Sequence, residues 1–471
     1  MNISDQIQPN LRLALLSKIA QILPGIMERI DQMSSGFMNS DSDNLGHLEE
    51  GFFKPLMEIG RSALEEAAQK KADAIAFVCP KCGGRLTRKQ ITKATIQTRF
   101  GPIVVRRARG WCKKCGDWFC PADHALGIQS GRSPFVEEMA ALFAAGLPIA
   151  QAAPMLGRAT GILLPRATLD RAARRTGAEA QAKRSEVDQR VCRDPRALPP
   201  PIKDEPAFTL VLQIDAWNIR ERGEHWGLSE QLRAEGKTPE WWRWVYAATV
   251  FQLSDRVESA AGRPLILSRG YVCTRLGIDA LREQLRAEAI RHGLGRAARV
   301  LVVADGAVWI WKLAEDRFPE AIQRLDLYHA KAHLWAVAAA LHGEGTPEAR
   351  EWIKPLEERM ESGEADKMIS RLEELLPELE AKTREKVQKE VNYFRSNAGR
   401  MDYGEAKKRG EPRGSGAIES TCSQYQRRFK CTGQFWTTEG DEGLICIQTF
   451  WRNNRWHELF PHAKDFDLSK N

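Results

Sequence analysis

Two short cysteine pairs constrain this 471-residue chain more than any other feature of it. Cys79-x-x-Cys82 and Cys112-x-x-Cys115 each run into a glycine, Gly83 and Gly116, where a tight knuckle needs positive φ. Four thiols on two such knuckles suit a tetrahedral ion, and four thiolates leave no open coordination position. A structural Zn²⁺ is therefore expected. Disulfides are the competing use of paired cysteines, but the twin spacing and an expected cytoplasmic setting argue against them. The pairs stand further apart than in compact zinc templates. Residues 94–100, the Gly101-Pro102 turn and residues 103–107 read as a hairpin carried between them. A zinc ribbon over residues 77–130 is the expectation. Cys120, Cys192, Cys273, Cys422, Cys431 and Cys446 show no ligand spacing and read as ordinary thiols.

Charge is concentrated in the same stretch. Eleven Lys/Arg against two Asp between Cys79 and Ser130 can account for the whole excess of +8. Arg106 and Arg107 lie on the second hairpin strand with Arg109 just beyond it, and a field of this sign attracts a phosphate backbone. A solvated basic face is the plainer reading. No apolar run approaches the length of a membrane span, and the N-terminus does not read as a signal peptide.

Around the ribbon the pattern is helical. Residues 1–76 repeat apolar side chains at helical spacing on either side of a polar break at 39–44. Residues 131–193 read as three helices: 135–145, 149–156 (weakened by Pro154) and 168–176. With Arg171, Arg174 and Arg175 on the last, they form either a helix-turn-helix-like DNA-binding domain or a plain bundle. A proline-dense linker at 194–206 is the clearest domain boundary.

Beyond it the pattern turns to strands at 209–214, 244–253, 265–271 and 300–304, with a short strand at 325–327 and helices at 278–291 and 329–341. A mixed sheet flanked by helices fits this order, over 207–344. Charged helical residues 345–400 read as an insertion, and 401–471 complete the core with a helix at 444–451. Three acids occupy informative places. Asp215 closes the apolar run from Phe208, Asp305 closes the run from Val300, and Glu419 opens a helix after Gly414-Ser-Gly-Ala-Ile. Two strand-end aspartates and a helix-borne glutamate can hold a pair of Mg²⁺ ions about 4 Å apart. Each acid also has a plainer reading: a strand end, a turn residue before Gly306, and a helix start capped by Ser415.

In order, Cys79-x-x-Cys82, Cys112-x-x-Cys115, Asp215, Asp305-Gly306, Asp326-x-x-His329 and Gly414-Ser-Gly-Ala-Ile-Glu419 resemble the DDE transposases of bacterial insertion sequences. The Kra-type group is the nearest likeness and Mutator-like enzymes a distant one, over residues 77–455. The resemblance implies a multidomain α/β chain whose RNase H-like core holds two Mg²⁺ or Mn²⁺ between Asp215, Asp305 and Glu419. It also implies DNA strand cleavage and strand transfer, with double-stranded element ends and target DNA as partners, a homo-oligomer, and a cytoplasmic, nucleoid-associated setting. His329 then contacts a scissile phosphate or orients a ligand; a structural pair with Asp326 is the alternative. Arg427, Arg428 and Lys430 grip the same strand or form a solvated face. Trp436 stacks on a displaced base or fills the core. Two other functions stay open: an RNase H-like nuclease or resolvase, and a transposase-derived DNA-binding regulator.

Overall fold

Apolar side chains at helical spacing produce two long helices at the start of the chain, α1 (Ile3–Met38) and α2 (Leu45–Ala74). They break where the polar residues cluster, and Asn44 starts α2. Its side chain accepts from the Gly46 N–H at 3.0 Å, while its own N–H donates to His47 Nδ1 at 3.2 Å. The computed structural model describes residues 3–40, 44–194, 206–223, 226–227, 230–236, 240–260, 262, 264–437 and 439–463. These fall into two units, Met1–Thr176 and Gly177–Asn471.

In the first unit β1 (Thr87–Thr98) and β2 (Gly101–Cys112) form the expected hairpin, longer than its apolar stretches suggest. A short β3 (Asp117–Phe119) pairs only with residues 110–112, so the middle of β2 is an open edge. Side chains of α2 cover it. Glu65 accepts from the Val104 N–H at 2.9 Å and Gln69 from the Arg106 N–H at 2.8 Å. Ala68, Ile96, Ile103 and Val105 close the seam beneath. A single turn, α3 (Pro121–Ala125), leads to α4 (Pro134–Gly146), α5 (Ile149–Thr160) and α6 (Arg166–Arg193). Pro154 is accommodated inside α5. The third helix runs well past the expected 176, and the boundary between the units falls inside it. The proline-dense linker lies mostly outside the described residues, at 195–205.

The second unit is built on a five-stranded mixed sheet of order β10 (Ile322–Leu325), β9 (Arg299–Ala304), β4 (Thr209–Arg222), β5 (Glu240–Gln252), β8 (Gly270–Thr274). Along the chain, α7 (Glu230–Ala234) lies between β4 and β5. β4, β5 and β8 pair antiparallel, and β4, β9 and β10 pair parallel. The strand expected over 265–271 is instead two. β6 (Arg256–Glu258) and β7 (Pro264–Ile266) make a separate ribbon, and β8 begins only at Gly270. Gly270 has no room for a side chain: a Cβ there would meet Glu288 Oε1 at 2.5 Å.

Helix α8 (Ile278–Arg291) carries the chain from the edge strand β8 to β9, and α9 (Val308–Arg317) links β9 to β10, as their parallel pairing requires. One sheet face buries Leu210, Leu212, Ile214 and Val302 against Leu281, Leu285 and Ile310. The other buries Val211, Phe251, Leu301 and Val303. Both faces are covered, so β9 is nearly all valine and leucine.

α10 (Leu327–His342) leaves β10 directly, and α11 (Pro347–Ser362), α12 (Ala365–Leu375) and α13 (Ala381–Asn397) are the expected helical insertion. Leu356, Met360, Ile369 and Leu372 are its buried stripe. The chain ends with α14 (Tyr403–Lys408), α15 (Gly416–Phe429), α16 (Gly440–Arg452) and α17 (Trp456–Leu459). Among the described residues no helix is long and apolar enough to cross a membrane.

Candidate metal centres

The parallel half of the sheet decides where the acids stand. β4 and β9 pair in register to Gln213↔Val303, so Asp215 and Asp305, each two residues on, emerge at one level. β9 and β10 pair to Ala304↔Leu325, which puts Asp326 directly beside Asp305. The Asp326 N–H donates to Ala304 O at 2.7 Å. Asp305 and Asp326 therefore follow directly on the C-terminal ends of β9 and β10, with Asp215 level with them inside β4, at the end where open α/β sheets bind ligands. β4 itself does not end at Asp215, as its sequence suggests. The pairing with β9 ends two residues earlier, at Gln213, and the strand continues against β5 to Arg222.

Glu419 comes from far along the chain and is brought in by a clamp. The Gln213 side chain donates to Gly414 O and accepts from the Ile418 N–H, both at 3.1 Å. Asp326 takes the Ser415 N–H. Ser415 stands at the helix start but its hydroxyl makes no capping bond; the backbone N–H does the positioning. Beneath, the buried Arg324 guanidinium bonds both oxygens of Asp402 at 2.7 Å, Glu411 Oε2 at 2.7 Å and Pro412 O at 3.1 Å. It fixes the segment that leads into α15. On the Asp305 side, Tyr393 donates its hydroxyl to Asp305 O at 2.9 Å. Gly306, at φ +98°, is packed so closely there that a Cβ would meet Tyr393 Oη at 2.9 Å.

One ligand atom each from Asp326, His329 and Glu419 lies within 4.8 Å of the others. Asp215 and Asp305 stay outside that close group among the described residues, yet their charges act on it. Contact with the Asp326 carboxylate, at 3.3 Å, is the main cause that raises the His329 imidazole, with Asp305 and Glu419 adding to it. Burial raises the Asp215 carboxyl, and the Asp305 charge pushes the same way. The Cys422 thiol donates to Asp215 Oδ2 at 3.8 Å and is itself raised by burial and by that charge. Asp326 differs. Burial opposes its charge, but hydrogen bonds from His329 and Ser415 outweigh that and hold it at about 2. The set is a concentration of carboxylates with one imidazole among them, the donor chemistry of a hard divalent cation. An open cleft of about 540 Å³ adjoins it, lined in part by Gln213, Arg256, Arg269, Tyr328, Arg413 and Gly414.

The cysteine cluster is simpler. Cys79, Cys82, Cys112 and Cys115 bring their sulfurs within 4.8 Å of one another, compatible with a structural zinc site. Both knuckles close alike: Gly83 N–H donates to Cys79 O and Gly116 N–H to Cys112 O, each at 2.9 Å, with φ of +71° and +67°.

The basic residues divide. Arg106, Arg109 and Arg171 are exposed. Arg107 is paired with Asp123 at 2.6 Å, Arg174 with Asp170 at 2.8 Å, and Arg175 with the buried Glu137. On α15, Arg427 is exposed, as is Lys430 just beyond the helix, whereas Arg428 is buried under the Trp436 ring at 4.9 Å, where desolvation pushes it down to about 10. Arg428 is thus a core cation, not a surface grip. Trp436 is core as well: its indole N–H donates to Phe429 O at 2.9 Å and its backbone pairs with Arg220 and Arg222. Gln213, Arg324 and Tyr393 are site-building residues that the sequence pattern does not mark as functional. Only Gln213 left a signal there, as a lone polar residue inside an apolar strand.

Residues 291–457 match the profile described as Uncharacterised protein family (UPF0236). The matched stretch contains Asp305, Asp326, His329 and Glu419 and begins after Asp215. No curated protein matches the chain.

Proposed function

We propose that the chain is a DDE-type transposase that cleaves and joins DNA at the carboxylate end of an RNase H-like core. The observation that carries this reading is the convergence of Asp215, Asp305 and Asp326 at one level of three adjacent parallel strands with Glu419 delivered beside them. A central strand with an antiparallel pair on one side and a parallel pair on the other supports the RNase H-like assignment. Asp215, Asp305 and Glu419 are the residues to hold Mg²⁺ or Mn²⁺; the first two are half-buried and Glu419 is exposed, and their carboxylate oxygens fit such ions. When bound, a pair of these ions supplies activation of the attacking oxygen and neutralisation of the leaving one.

The chain's own groups do the rest. Asp326 keeps His329 and the Ser415 N–H in place, so an imidazole with a raised proton affinity faces the site where a phosphate would lie. Arg256, Arg269 and Arg413 in the adjoining cleft attract the DNA backbone. A Zn²⁺ in the cysteine cluster holds the ribbon, whose exposed arginines suit duplex DNA, and two copies of the chain would serve two element ends. The test is a labelled duplex carrying the DNA that flanks the coding sequence, incubated with Mg²⁺ or Mn²⁺. Cleavage and joining are expected from the native chain. Asp305→Asn should abolish both while leaving DNA affinity nearly unchanged. Cleavage without joining would favour a nuclease, and binding without cleavage a regulator.

A further inference from the structure

Past Asp215, β4 and β5 continue as a two-stranded ribbon, paired from Trp217↔Val245 to Arg222↔Glu240. Alternation gives it two unlike faces. Trp217, Ile219 and Glu221 point inward, Trp217 against Phe429 and Glu221 onto Arg275 at 2.8 Å. On the other face Asn218 and Arg220 stand opposite Trp244 and Trp242. Both tryptophans are 57% exposed, unusual for a side chain that large. Cations accompany the rings. The Arg220 guanidinium lies 5.6 Å from the Trp242 ring and 4.7 Å from Phe435, and that of Arg222 lies 5.3 Å from Trp226. Trp226, 39% exposed, leans on Phe435 at 4.5 Å.

Fold stability does not account for two indoles presented to water beside arginines. Flat π surfaces with interleaved guanidinium groups match unpaired bases on a phosphate chain: the rings stack on any base and the cations meet the backbone. A duplex hides its base faces, and the guanidinium groups between the rings supply the positive charge that a phosphate chain attracts. Arg220 is five residues beyond Asp215 on the same strand, about 17 Å at strand spacing, or about five stacked nucleotides.

We propose that this face of the β4–β5 ribbon is a platform for single-stranded DNA, holding unpaired nucleotides next to the cut. Its placement beside a cutting site rests on the transposase reading; its affinity for unpaired bases does not.

The experiment uses the full chain in EDTA and the fluorescence anisotropy of a labelled oligothymidine of about ten nucleotides. Trp242→Ala and Trp244→Ala should each weaken binding about tenfold, and the double variant more. Trp242→Phe should restore most of the loss, and Leu267→Ala, at an exposed apolar residue off this face, should cost nothing. Unchanged oligothymidine affinity in the double variant would overturn the proposal. So would a change of oligomeric state in sedimentation with DNA affinity intact, which would make the face a protein interface. The two ideas separate cleanly: failure to cleave leaves this binding result standing, and loss of the platform leaves metal-dependent cleavage to be measured on its own.

Discussion

The cysteine cluster and the carboxylate centre gather similar numbers of ligands by opposite means. Each knuckle of the first is four residues and a left-handed glycine, so local backbone geometry alone presents its sulfurs. The second draws on β4, the end of β9, the turn into α10 and the first turn of α15, more than two hundred residues apart at the extremes. No local rule aims those carboxylates. Strand register and a clamp built from Gln213, Arg324 and Asp326 do it. A locally built site should fail only when its own ligands go, whereas an assembled one should fail at residues that touch no ligand.

Loss of the ion that the cysteine cluster would hold gives the largest expected effect. A structural Zn²⁺ of this kind contributes on the order of 10 kcal/mol, so Cys79→Ser with Cys112→Ser should abolish zinc stoichiometry and unfold the ribbon. Metal analysis and limited proteolysis within the β1–β2 hairpin would read it; an intact hairpin without zinc would break the comparison. Next comes the chemistry. Asp215→Asn or Glu419→Gln should lower metal-dependent cleavage by at least about 10³-fold without loss of melting temperature.

Arg324→Met then tests assembly at a distance. It takes the cation from the buried Glu411, which keeps only Arg299, and from the half-buried Asp402, which costs up to about 3–5 kcal/mol in a denaturant titration, and cleavage should fall although no ligand has changed. His329→Ala should lower cleavage far more than stability; an equal loss of both would reduce the Asp326–His329 pair to structure. The smallest effect is expected at Gln213→Leu. It removes two hydrogen bonds to the α15 approach, about 1–3 kcal/mol, and should weaken Mn²⁺ affinity about 10–100-fold. If Mn²⁺ affinity is untouched, the clamp does not aim Glu419.

Legibility in the sequence follows the same division. Cys79, Cys82, Cys112 and Cys115 were readable because spacing and glycine are local signals. Asp215 and Asp305 were readable because apolar runs end at them, and Glu419 because a helix begins there. The continuation of β4 was missed because an acid after an apolar run looks like a strand end, although Trp217 and Ile219 keep the alternation going. Arg428 misled for a different reason. Its charge suggests DNA or solvent, but the Phe429 and Trp436 rings enclose it, and Trp436 itself takes the core place that was one of its two readings. Arg324 gave no warning at all, since nothing local marks an arginine that will be buried between two carboxylates distant in sequence.

Mn²⁺ binding followed by electron paramagnetic resonance tests the central claim most directly, on the native chain and on Asp215→Asn, Asp305→Asn and Glu419→Gln, each with zinc retained. Saturable binding to the native chain, lost or sharply weakened in all three variants, is the predicted result. Binding that is absent from the native chain, or that survives all three substitutions, would contradict a metal centre assembled from these carboxylates.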